Sequence, residues 1–224
     1  MRFQDAARDG RAVVYGAIQA DPLVLRAATL LADATPGQRL LARAVMNGET
    51  TDPIDWMTTF PTLFAASVDA TERARSEAIL ATSLQVADRG DEVRNQVRGA
   101  IVEALTAALL ARRVGEAAVR RERRILFDGV RAEIHPYDVT VERPGDAEAH
   151  DCKWGARGIG ADVLLQLDDA RVHADEEGER LKVALVVFDA ARSCRVRLDR
   201  QTVPHEGIEL VTLETLGRLA SGTS

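Results

Sequence analysis

Residues 136–154 read PYDVTVERPGDAEAHDCKW, and the reading of this stretch decides the fold. Pro144-Gly145 separates two runs of alternating apolar and polar residues, the pattern of a β-hairpin. With those two residues at the turn centre, Arg143 pairs with Asp146. Counting outward, Asp138 falls directly opposite Asp151, where Cβ atoms lie roughly 4.5–5.5 Å apart. Alternation then gathers Thr140, Asp138, Asp151 and Lys153 on one face, and Tyr137, Val139, Val141, Cys152 and Trp154 on a core-facing one. Pro-Gly favours a type II turn, whereas two-residue hairpins prefer the primed types. A slip by one residue would send an aspartate into the core, and the burial pattern argues against it.

Working outward, the hairpin is followed by a glycine-flanked loop (Gly155, Gly158, Gly160) and a helix over about 161–177. Leu181 to Phe188 is almost wholly apolar, as in a strand buried on both faces. A helix between two strands makes a crossover connection, so this strand is expected to run parallel to the one carrying Asp151. Before the hairpin, 91–113 reads as a helix with Val97, Ile101, Leu105 and Leu109 on its buried side. Arg124–Phe127, the turn Asp128-Gly129 and Val130 onward read as a second hairpin. Cys194–Leu198 and Ile208–Val211 carry weaker strand patterns. Residues 1–90 show helical spacing only, with Thr35-Pro36 and Thr71 as start signals. The expected organisation is an α/β fold with an α+β mixed sheet. A helical region, 1–90, precedes a domain, 91–224, ordered helix, three meandering strands, helix, strand.

Composition narrows the function classes. The chain has 224 residues, a formal net charge of −6 and two cysteines, Cys152 and Cys194. No apolar run is long enough for a membrane span, and the first residues lack a signal-peptide pattern, so a reduced, cytoplasmic protein with no membrane partner is expected. The net charge is unevenly placed. Residues 94–131 hold nine arginines against four acids, whereas 1–93 carry a net −4 and 132–224 a net −7. The basic stretch includes Arg112, Arg113, Arg120, Arg121, Arg123 and Arg124, which reads as a phosphate-tracking ridge or as ordinary solvated faces.

The chemistry sits in the hairpin. Two directly opposed carboxylates repel, and a bridging divalent cation accounts for their tolerance. Mg²⁺ takes one or two carboxylates together with water and substrate phosphate. Of the 29 basic residues 27 are arginine, yet the position beside the pair is Lys153. Lysine is a compact, tunable charge suited to a place beside an attacking water. Such a set fits metal-assisted phosphodiester hydrolysis. His135 and His173 read as structural or exposed, and Gly158-Ile159-Gly160 lacks the rest of a dinucleotide fingerprint.

Pro136-Tyr137-Asp138 followed by Asp151-Cys152-Lys153, on consecutive strands between a helix and a crossover helix, resembles the PD-(D/E)XK nuclease superfamily, the restriction-endonuclease-like fold, over about 91–190. The resemblance implies that Asp138, Asp151 and the main-chain carbonyl of Cys152 bind Mg²⁺ or Mn²⁺, with Lys153 beside the attacking water. It also implies a glutamate from the first helix, for which Glu103 is the candidate. A polar residue on the crossover helix is implied as well, and Gln166 fits. Arg157 joins the arginine run as a candidate nucleic-acid contact. The implied activity is a DNA endonuclease in bacterial defence or repair, acting as a homodimer or with a regulatory protein. The alternatives are an RNase of the same fold, a catalytically inactive member, or a helical interaction subunit of a larger complex.

Overall fold

The computed structural model describes residues 1–6, 10–128, 130–131 and 135–221. The chain forms two compact units, one of residues 10–105 and one of residues 1–9 with 106–224, the division falling within a single long helix.

The first unit holds α1 (Gly10–Gln19), α2 (Pro22–Ala32), α3 (Pro36–Asn47), α4 (Pro53–Thr59), α5 (Pro61–Phe64), α6 (Ala70–Ala87) and the larger part of α7 (Asp91–Val114). Proline in the first turn starts α2 to α5, where its missing N–H leaves no helical bond unmade. Thr35 caps α3 in a capping box with Gln38. Gln38 is itself buried and donates to Ser76 Oγ at 3.0 Å, tying α3 to α6. Asp69, rather than Thr71, caps α6 through the Thr71 and Glu72 amides. Leu41, Val45 and Leu80 form the apolar centre, with Trp56, Phe60 and Leu63 against it.

Among its described residues the second unit has one mixed sheet of seven strands: β1 (Arg2–Asp5), β2 (Val119–Phe127), β3 (Val130–Arg131), β4 (Tyr137–Val141), β5 (Ala147–Lys153), β6 (Leu181–Val187) and β7 (Ile208–Thr212). Their order is β1-β2-β4-β5-β6-β7, with β3 paired to β2 off that path. Strands β1, β2, β4 and β5 pair antiparallel, whereas β5, β6 and β7 run parallel. The crossovers are α8 (Ala161–Glu176) and α9 (Ala191–Leu198), and α10 (Arg218–Ser221) follows β7. The mixed α/β architecture, and the parallel pairing of β6 with β5, are as expected.

Two expectations are corrected. The first residues do contain a strand: β1 pairs with β2, and Phe3 packs on the sheet's apolar cluster. Four residues are too few for periodicity to register. Cys194–Leu198 is helix, not strand. Cys194 and Leu198 both reach the apolar cluster, at the four-residue spacing of one helix face. The expected Asp128-Gly129 turn leads into β3, though Gly129 lies outside the described residues. No helix among the described residues is long and apolar enough to cross a membrane.

The two faces of the sheet are covered differently. Ala147 and Ala149 of β5 join Leu181, Val183, Leu185 and Val187 of β6 beneath Leu164, Leu167 and Ala170 of α8. The intervening residues of β5 point to the other face. There Cys152 Sγ lies 3.5 Å from Thr106 Oγ1, and Arg113 makes a two-pronged pair with Glu148 at 2.9 and 2.7 Å. His150 Nε2 lies 3.1 Å from the same carboxylate. Burial acts to raise the Glu148 carboxyl, but the His150 and Arg113 contacts outweigh it and hold it down at about 2. A depressed carboxyl contributes stability above its unfolded value of 4.5 that is lost as pH falls toward 2, here about 3 kcal/mol. Glu148→Gln leaves the Arg113 charge half-buried and unpaired, and is expected to lower unfolding stability at neutral pH by about 3 kcal/mol. In urea titrations the gap from the natural chain should close as pH falls from 4.5 toward 2.

Candidate active site

The Pro144-Gly145 turn closes with an Asp146 N–H to Arg143 carbonyl bond of 3.2 Å, and Gly145 has φ +72°. That left-handed conformation at the third position defines a type II turn and requires glycine. The ladder pairs Val141 with Glu148, Thr140 with Ala149 and Val139 with His150. That is the expected register; the ladder ends at Val139, and Asp138 lies just beyond it. Asp138 Oδ2 accepts the Cys152 N–H at 2.6 Å, so its carboxylate reaches across the hairpin to the backbone beside Asp151.

Asp151 is buried and forms a close ion pair with Lys153. The lysine ammonium lies against its Oδ1 and is the cation that compensates it. Burial pushes the Asp151 carboxyl up despite the Lys153 charge, and Asp162 adds to the rise. Burial works against the charge of Lys153, but Asp151 and Asp138 overcome it, and the ammonium is held well above its usual range. In the metal-free protein Lys153 is therefore a fixed cation, able to donate hydrogen bonds but not to take up a proton.

These groups face a cavity of about 420 Å³, with Asp138, Asp151 and Lys153 in its lining and Arg157, Asp162 and Gln166 closing other sides. Gly158 lies against the lysine stem. A Cβ there would meet Lys153 side-chain carbons at 3.0–3.1 Å, so the missing side chain makes room for the cation. Trp154 turns away and stacks on Phe188 at 5.0 Å. The loop after β5 is anchored by Asp189, whose Oδ2 accepts the Ala156 N–H at 3.0 Å.

The remaining site candidates divide. Gln166 is buried, and its amide bonds the His135 backbone twice, at 3.0 and 3.1 Å, holding the strand entry to β4 in place. Glu103 belongs to the unit of residues 10–105, where it is buried and accepts from the Tyr15 hydroxyl and from Gln19 Nε2, the latter at 2.7 Å. Cys152 turns its thiol to Thr106 and its N–H to Asp138. Arg112, Arg120, Arg121 and Arg157 are exposed and Arg124 is half-buried.

Arg113 and Arg123 are removed from the phosphate ridge. Arg113 is locked to Glu148 on the sheet face opposite the cavity, and Arg123 is held by Glu142 at 2.6 Å and by Asp5. Adjacent strand residues alternate faces, so a run of arginines in sequence cannot form one ridge.

Two acidic residues escaped the sequence reading. Asp162 opens α8 and lines the cavity. Glu122 sits between the β2–β4 pairs Arg121–Val139 and Arg123–Tyr137, which places it opposite Asp138. Its φ of +54° is left-handed, rare for a residue with a side chain. One Glu122 carboxylate oxygen lies within 4.8 Å of one from Asp138. The only sequence signal for Glu122 was a lone acid in the run Arg120-Arg121-Glu122-Arg123-Arg124.

No family model and no curated protein matches this chain. Among solved structures it is similar to protein VC1899 from Vibrio cholerae, with a TM-score of 0.43 and 15% sequence identity, over 98% of this chain and 57% of that one. The chain thus spans little more than half the length of that protein, and so loose a likeness carries no argument about activity.

Asp138 has a structural and a chemical part that substitution separates. Asp138→Ala leaves the buried Cys152 N–H without its acceptor and should cost about 1–3 kcal/mol in chemical denaturation. Asp138→Asn keeps an acceptor oxygen and should unfold close to the natural chain.

Proposed function

We propose that this protein is a metal-dependent phosphodiesterase acting on nucleic acid, DNA foremost, with a restriction-endonuclease-like core. The observation that carries the reading is the convergence of Asp138, Asp151 and Lys153 on one cavity, with the Asp138 carboxylate bonded to the backbone N–H next to Asp151. The donor set suits a hard divalent cation. It offers the carboxylate oxygens of Asp138 and Asp151, gathered with Lys153 at one cavity that has space for water. Asp138 and Asp151 would hold Mg²⁺ or Mn²⁺, with the Cys152 carbonyl as the further ligand the family resemblance implies. Such an ion, when bound, polarises a phosphodiester oxygen and acidifies a water.

The chain's own residues account for the rest. Lys153 presents a fixed positive charge for the extra negative charge that develops on the phosphate as water attacks. Arg157, exposed at the cavity wall, is placed to hold a flanking phosphate. Gln166 acts through His135 as a positioning residue that fixes the approach to β4. Both cysteines are buried and free, in keeping with work in the reducing cytoplasm.

The test is incubation of the full chain with plasmid DNA and with RNA in Mg²⁺ or Mn²⁺. The natural chain should cut DNA, and Asp151→Asn and Lys153→Ala should each lower the rate by 100-fold or more, on the order of the loss of one electrostatic group. Cleavage of neither polymer, or equal cleavage by the variants, rejects the reading. The pH profile carries a second expectation. The raised Asp151 carboxyl takes up a proton earlier than an ordinary aspartate as pH falls, and that proton competes with the metal. Mg²⁺ affinity measured by calorimetry should therefore weaken on acidification while the fold persists, and Asp151→Asn should remove most of that dependence.

A further inference from the structure

A second groove, of about 440 Å³, lies in the same unit and shares Arg157 with the cavity described above. Its other walls are Ala156 and, from α9 or the residues just after it, Arg192, Ser193, Val196, Arg197 and Arg200. The helix is two-sided. Cys194 and Leu198 turn inward to the apolar cluster, while Arg192, Val196 and Arg200 follow one another at four-residue spacing. Arg192 and Val196 are thus neighbours on the helix surface, roughly 5–6 Å apart at Cβ, and Arg200 follows just past the helix end.

The charge is undiluted at this place. Four arginines and no acid line the groove among the described residues. Arg197 donates to the Ile159 carbonyl at 3.1 Å, which fixes it to the loop after β5. The side chains of Arg157, Arg192 and Arg200 have no hydrogen-bond or ion-pair partner among the described residues. Val196, 47% exposed, adds an apolar contact at the centre. Sequence averaging hides this surface, because the whole segment 132–224 sums to −7.

We propose that this arginine shelf is the surface that holds the phosphate backbone of the nucleic acid and leads it, through Arg157, to Asp138, Asp151 and Lys153. The proposal deepens the nuclease reading and rests on it for the identity of the polymer. Guanidinium groups left without protein partners are available for two-pronged contacts to phosphate. A groove open to solvent and free of carboxylates suits a polyanion rather than a small neutral ligand. The backbone-tracking arginines thus come from residue 157 and residues 192–200, and not from the run between Arg112 and Arg124.

The experiment is fluorescence anisotropy with a short labelled DNA duplex, and an RNA of the same sequence, in EDTA so that no strand is cut. The natural chain is compared with Arg192→Gln/Arg200→Gln, with Arg192→Lys/Arg200→Lys, and with Arg2→Gln/Arg180→Gln as a charge-matched control. The glutamine pair should weaken binding about tenfold or more and lower the slope of log affinity against log salt by about 2, whereas the lysine pair keeps the slope. The control should bind as the natural chain does, and thermal melts should show all four folded. A natural chain that binds neither polymer, or a glutamine pair that binds as well as the natural chain, overturns the shelf. So does binding to anionic phosphatidylglycerol vesicles in place of nucleic acid. The nuclease reading fails separately: loss of binding in the glutamine pair without any cleavage in Mg²⁺ keeps the shelf and rejects the hydrolysis.

Discussion

The left-handed backbone at Gly145 sets the position of everything the candidate site uses. A type II turn matches the twist of a β-ladder poorly, and here the mismatch is confined to the loop. Regular strand ends at Val141 and resumes at Ala147, so the Pro144-Gly145 turn sits on a short unpaired stem. Arg143 and Asp146 pair across it, and Lys182 of β6 grips Asp146 at 3.0 Å. The first ladder pair, Val141 with Glu148, then fixes the register that carries Asp138 and Asp151 to the cavity end of the hairpin. A residue inserted anywhere in that stem would send one of the two carboxylates to the wrong face.

The two faces of β5 show the same chemistry put to opposite ends. On one, Glu148 is fully satisfied: two bonds from Arg113, one contact from His150, and a carboxyl held at about 2. On the other, Asp151 is equally buried but poorly compensated, with a carboxyl pushed up rather than down. Desolvation is the largest influence at both, outweighed at Glu148 by His150 and Arg113 but not at Asp151 by Lys153. A buried carboxylate whose one cationic partner does not offset its desolvation costs the fold stability. Glu122 adds to the imbalance, held in a strained backbone conformation with its carboxylate near Asp138.

The arginines show why charge read along a chain misleads on a sheet. The run between Arg112 and Arg124 is dense in sequence, yet Arg113 and Arg123 turn to internal partners. Around α9 the arginines are fewer and interleaved with apolar residues, and helical spacing brings them together on one side. The same tertiary fact explains why Cys194–Leu198 was misread as strand. An Arg-Val-Arg-Leu alternation fits either period over five residues, and it was burial of Cys194 and Leu198 on one side that selected the helix.

What the sequence by itself determined was local. The turn type, the register of the hairpin that carries Asp138 and Asp151, the crossover helix and the buried β6 all follow from period and turn chemistry within some fifty residues. Glu103 and Gln166 were legible as polar residues on apolar helices, but not their partners, Tyr15 and Gln19 for one and the His135 backbone for the other. Tertiary structure alone decided the contacts between segments distant in the chain. It placed β1 at the sheet edge, Asp162 and Arg157 at the cavity, Glu122 across from Asp138, and the α9 arginines beside Arg157. The reason is physical: hydrophobic period and turn propensity are properties of neighbouring residues, whereas charge pairing depends on which surfaces packing brings together.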